Sequence, residues 1–151
     1  GWSKRESSTT IANQSHPHCT LLKKGPLMPI DAKYLFISSM DVPSDKEALF
    51  NEVYDTEHVP NLAEVPGVLS IARLKKQTFE LSIGGAIQQI DTSAEPRYSA
   101  IYEVENPGVL TSDAWAAAIE RGRWPTDVRP AAINAHRVLY ELLYARDLAQ
   151  K

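Results

Sequence analysis

From Lys33 onward the chain passes twice through the same succession of patterns, a strand, a helix and a strand, and this constrains its fold more than any other feature. "KYLFISSM" is a short run of β-branched and aromatic residues and reads as a strand. In "PSDKEALFNEVYDTEH", Ser44 with Glu47 three residues on forms a capping box, which starts a helix at Asp45. Leu49 and Val53 give an inward stripe, and Phe50, Tyr54 and His58 a neighbouring one at spacing four. Pro60 is expected to stop this helix at about His58.

"VPGV" then turns the chain into "VLSIARLKKQ", where Leu69, Ile71 and Arg73 alternate with Ser70, Ala72 and Leu74. "FELSIGGAIQQID" reads as two strand arms around a tight Gly84-Gly85 turn. "PRYSAIYEVE" is a strand with Tyr98, Ala100, Tyr102 and Val104 on one face. "NPGVLTSDAWAAAIERG" is a second helix. Thr111 or Ser112 caps it, Trp115, Ala118 and Ile119 share one face, and Gly122 closes it. A last strand is expected over Ala135–Leu143.

Two βαβ halves of this length define an α+β, ferredoxin-like βαββαβ layer. Its sheet is antiparallel, both helices lie on one face, and a β-hairpin is added between strands two and three. The opposite sheet face would be apolar and open, so a homodimer is expected to cover it.

Residues 1–30 differ from the rest. They are rich in Ser, Thr, Lys and Pro, have no period, and carry Lys4, Arg5, Lys23 and Lys24 against Glu6 alone. They read as an arm, either vector-derived with a native start at Met28 or a segment that docks on a partner subunit. The folded domain is expected over 31–151. "SHPHC" offers His16, His18 and Cys19, but no second Cys/His pair follows at metal-site spacing, so no metal is expected.

The net charge of −3 leaves the domain acidic, without the concentrated basic face of a nucleic-acid binder. No run approaches a membrane span or a signal-peptide core. A single cysteine, Cys19, fits a reducing, cytoplasmic setting. Phosphate-binding glycine loops, GxSxG, HExxH and CxxC are absent from the sequence.

The element order, taken with Tyr54, His58, Pro60 and the Pro66-Gly67 turn, resembles the dimeric α+β barrel superfamily, and within it the EthD-like group. The resemblance spans about residues 33–145. It implies a pocket between sheet and helices in each subunit. The superfamily includes cofactor-independent oxygenases of aromatic polyketides, polyketide cyclases, muconolactone isomerases and haem-degrading enzymes, so the reaction is not fixed by it.

By spacing alone, His58 reads as a helix-terminal residue held by the dipole, which would raise its pKa. The resemblance makes it a site residue instead, able to take and give protons. Arg73, on an apolar strand face, would hold an oxyanion or pair with a glutamate such as Glu103. Tyr54 would share the substrate with His58. Phe36, Tyr102, His136 and Tyr140 are further substrate-binding candidates that read equally as core, and Trp124 would cover a pocket as a lid. The expected function is a cofactor-independent enzyme. It would act by proton transfer on a small aromatic or unsaturated carbonyl compound, as an isomerase, lyase or cyclase. The alternatives are a cofactor-free oxygenase of a phenol and a non-catalytic ligand-binding dimer.

Overall fold

The aromatic and β-branched run after Lys33 forms β1, Tyr34–Asp41. It lies between β5, Tyr98–Val104, and β6, Ile133–Glu141, while β2, Val68–Lys75, pairs with the far edge of β5. All three pairings are antiparallel, and the order β2-β5-β1-β6 is the ferredoxin-like one expected. This computed structural model describes residues 30–148, of which 30–145 form one compact unit. The arm expected over residues 1–30, with His16, His18 and Cys19, lies outside the described residues except for Ile30.

Period-two alternation assigns each strand a face. Tyr98, Ala100, Tyr102 and Val104 of β5 are buried toward the helices. Phe36, Ser38 and Met40 of β1 look the same way. Register then puts Ile71 and Arg73 of β2, and Arg137 and Leu139 of β6, on that face as well. A bulge between Val68 and Ser70 leaves Leu69 as the surplus residue, so Leu69 is exposed and Val68 takes its place against the core.

The other face carries a row across all four strands, Ala72, Ile101, Ile37 and Val138, in direct register. Leu74, Val138 and Tyr140 on this face are exposed. His136 and Tyr140 therefore share a face, as expected, but it is the face turned away from the helices.

The first helix departs from expectation at both ends. Residues Ser44–Lys46 form a 3-10 turn without a side-chain cap, and α1 starts at Glu47. No capping box closes, because the Glu47 carboxylate accepts from the Tyr98 hydroxyl and from Arg97 instead. After α1, Glu47–Val53, the chain widens into a π turn over Tyr54–His58, then continues as α2, Val59–Ala63. Pro60 does not stop it. The π bond from Val59 N–H to Tyr54 O restarts the hydrogen-bond register, and Pro60 falls in the first turn of α2, where its missing N–H costs little.

Gly67, at φ +92°, makes the turn into β2. The inserted hairpin comprises β3, Glu80–Ile83, and β4, Ala86–Gln89, joined by Gly84 and Gly85 at φ +62° and +81°. Its residues are exposed throughout. The second helix, α3, spans Asp113–Ala118, and the Ser112 hydroxyl accepts from Trp115 N–H as its cap. Gly122 ends that segment, and Trp124–Val128 forms a second π turn before β6. Among the described residues no helix is long and apolar enough to cross a membrane.

Candidate active site

Between the helix-facing side of the sheet and the two helical segments lies a cavity of about 470 Å³. That is within the range that holds a small organic molecule. Its walls are aromatic and aliphatic: Phe36 and Met40 from β1, Tyr102 from β5, Leu62 from α2, Trp115 from α3 and Trp124 from the second π turn. Tyr54 and His58 enter from the first π turn. Arg129 and Arg137 bring charge to the lining.

His58 is 5% exposed, and its Nδ1 is buried without a hydrogen-bond partner among the described residues. An unpaired polar atom in an apolar setting is costly and normally has a reason. The imidazole lies against Trp124 with centroids 4.0 Å apart and planes 17° from parallel. Tyr54 meets its ring edge-on at 5.0 Å. Burial, reinforced by the positive charge of Arg129, holds the His58 pKa down at about 4. The sequence reading expected the opposite direction. That expectation assumed an exposed helix end, whereas the helix runs on to Ala63 and encloses the ring. At neutral pH His58 is thus an uncharged base in a dry wall.

The Tyr54 and Tyr102 hydroxyls hydrogen-bond to each other at 2.8 Å. Burial raises the pKa of both, so both stay protonated. The pair gives the cavity floor donors that reorient without changing charge.

Trp124 is 5% exposed and acts as a wall, not a loose lid. Its segment is tied to the His58 turn by Glu57. That carboxylate accepts from Arg123 N–H at 3.0 Å and from Arg123 Nε at 2.6 Å. These bonds hold the Glu57 pKa below the usual carboxylate range, the backbone donor contributing most. Two neighbouring residues, Glu57 and Arg123, therefore fix the approach of the next two, His58 and Trp124.

Arg73 does not reach the cavity. Its guanidinium donates to Asp55 at 2.6 Å and to Asn51 at 3.0 Å, and lies over the Tyr54 ring at 4.4 Å. It stands on the far side of Tyr54, and its acid is Asp55 on the first π turn. Glu103, named as its partner from sequence, is on the opposite sheet face. His136 and Tyr140 are also outside: His136 is exposed and bonds Asn134 at 2.8 Å, and Tyr140 is 52% exposed on the outer face. Of the eight residues expected from sequence, the cavity gathers His58, Tyr54, Tyr102, Phe36 and Trp124.

Sequence reasoning missed Arg129, Arg137, Ser38 and Trp115. Arg129 is engaged by Glu120 through two bonds of 2.7 and 2.9 Å. Arg137 is the cation that lies where Arg73 was expected to. The signal for it was the alternation of β6, but choosing the inward face required the strand's register, which pairs Arg137 with Ser38. The inserted hairpin lends no residue to the lining. Among the described residues, no cluster of three or more His, Cys, Asp or Glu could hold a metal ion.

No protein-family model matches the sequence, and no curated protein matches it. Solved structures do. The chain is similar to a mutant of MhuD, a haem degrader from Mycobacterium tuberculosis, crystallised with two manganese protoporphyrin IX per active site. The match has 17% identity and a TM-score of 0.50, over 74% of this chain and 95% of that one. It is also similar to SnoaB, a cofactor-independent oxygenase from Streptomyces nogalater, at 16% identity and TM-score 0.46, over 74% and 93%. An EthD-family protein from Bacillus halodurans matches at 17% identity and TM-score 0.47, over 78% and 100%. The MhuD likeness bears on architecture alone. The chain has the ferredoxin-like α+β fold that the sequence led one to expect, an antiparallel sheet with its helices on one face.

Proposed function

We propose that this protein is a cofactor-independent enzyme that moves a proton on a small, planar, aromatic or unsaturated carbonyl compound. The observation that supports this most is His58, a neutral imidazole in the wall of an aromatic cavity, its Nδ1 shut in and without a hydrogen-bond partner among the described residues. A dry base of this kind is a weak acceptor until negative charge forms beside it. The imidazolium is then favoured in the transition state more than in the ground state. Trp124 and Phe36 offer flat surfaces for the ring, and the Tyr54–Tyr102 pair offers a hydrogen bond to the enolate oxygen. The proton taken from carbon is returned by the same imidazole at a second position, giving isomerisation or assisting elimination or ring closure.

The test needs no named substrate. A panel of aryl and α,β-unsaturated ketones is incubated with the protein in D2O, and carbon-bound hydrogen exchange is followed by NMR. Exchange lowered about 10²- to 10⁴-fold by His58→Asn in a folded variant is the expected result. Exchange equal in both proteins would remove His58 from the chemistry.

A second reading uses the same base. Deprotonating a phenol in this cavity would give an electron-rich anion that reacts directly with oxygen, and the aromatic walls suit such a ring. Oxygen uptake with dihydroxynaphthalenes separates it from the first. No cofactor enters either reading, and a Soret band carried through purification would replace both with haem chemistry. The working form is proposed to be a homodimer joined through the outer sheet face, with no nucleic acid or membrane partner and a cytoplasmic setting.

A further inference from the structure

Among the described residues, Arg137 is the group that the structure leaves least explained. Within residues 30–145 the other arginines each have an acid: Arg73 has Asp55, Arg97 has Glu47, Arg121 has Glu64, Arg123 has Glu57 and Glu52, and Arg129 has Glu120. Arg137 has no hydrogen bond or ion pair among the described residues. It is exposed, as all of β6 is, and it lines the cavity from that solvent-reached strand, across from Ser38 in the β1–β6 register. A hydrated guanidinium with no acid of its own beside aromatic walls can take an anion through two parallel bonds without first breaking an ion pair.

The charge balance narrows that anion. Arg129 is met by both oxygens of Glu120, so Arg137 supplies the one uncompensated positive charge of the lining. A single planar fork matches one planar carboxylate, and the Ser38 hydroxyl adds one further donor from the facing strand. A dianionic phosphate would keep one negative charge unmatched, since Arg129 is already met by Glu120. We infer that the cavity's ligand is a planar unsaturated carboxylic acid, its carboxylate taken by Arg137 and Ser38 and its conjugated body laid against the aromatic wall. This rests on the proposed reading of the cavity as a substrate site. It gives the substrate two ends, a carboxylate at β6 and a reactive carbon at His58.

The experiment compares cinnamate with cinnamamide, the same flat body with and without the charge, by titration calorimetry at pH 7. Cinnamate should bind about tenfold or more tightly than the amide. Arg137→Gln should abolish that preference and leave the amide's affinity unchanged, while Arg137→Lys should restore part of it. Arg121→Gln, a surface control with its own acid, should retain the full preference. Equal affinities in the parent protein, or a preference that survives Arg137→Gln, overturn the inference. Amide binding then still leaves the cavity reading standing, and the deuterium-exchange test of His58 judges that reading separately. No binding of either compound overturns the inference as well.

Discussion

His58 and Trp124 lie stacked at 4.0 Å although one belongs to the first helical segment and the other to the loop after α3. The residues just before them, Glu57 and Arg123, are joined by an ion pair with a backbone bond beside it. Two adjacent couplings between the same turns leave little freedom to either. The imidazole is held by packing on its ring and by polar bonds on its neighbour, while its own Nδ1 has no partner among the described residues.

Breaking that coupling should loosen the stack. Glu57→Gln removes the charge that Arg123 approaches and is expected to lower the unfolding midpoint slightly, since the pair is open to solvent screening. Denaturant unfolding gives the loss. A red-shifted tryptophan emission in the folded variant reports Trp124 moving toward water. An unchanged spectrum with an unchanged midpoint would show that the stack holds without the pair.

The depressed pKa of His58 makes stability depend on pH in a defined window. Unfolding returns the group from about 4 to its ordinary 6.5, so between those values the unfolded chain binds the extra proton. Stability is therefore complete above pH 6.5 and falls as pH falls toward 4. About 2 kcal/mol should be lost between pH 7 and pH 5. His58→Asn should flatten this window. The acid limb of kcat/KM should likewise lie near pH 4. A limb near 6.5 would mean that the imidazole is solvated.

Arg73 should prove structural. Arg73→Met removes the Asp55 pair and the charge over the Tyr54 ring, and should destabilise by about 1–2 kcal/mol. Its effect on kcat/KM should stay below about tenfold, because the group stands behind Tyr54, outside the cavity. A larger loss with KM unchanged would return Arg73 to the chemistry.

The outer sheet face supplies a test of assembly. Val138 ends the row Ala72, Ile101, Ile37 and Val138, and is 41% exposed. Val138→Lys should halve the mass measured by light scattering while leaving the circular dichroism intact. A parent protein already at monomer mass would refute the homodimer.

Most of the architecture was readable in the sequence because it depends on period. The alternation in β5, the Gly84-Gly85 turn and the Ser112 cap are local, and each appears in the structure as expected. What failed depended on register or on competition between partners. His136 and Arg137 are adjacent, and only the pairing of β6 with β1 says which one faces the cavity. Glu47 fits a capping box, yet Tyr98 and Arg97, distant in sequence, draw its carboxylate away. Pro60 reads as a stop unless a π turn precedes it, and no pattern in "YDTEH" announces one. The site was half legible for the same reason. Tyr54 and His58 lie on one helical stripe, but the cation that accompanies them comes from a strand nearly eighty residues later.

A π turn is a regular helix that carries one surplus residue. Without it, each residue from Val59 on would be turned by about 100° relative to α1, and Leu62, now fully buried, would leave the core. The widened turn at Tyr54–His58 acts as a phase shifter within a single helix. It lets Leu62 join Tyr54 and His58 on the cavity wall from beyond Pro60, so one continuous helix serves the same hollow in two angular settings.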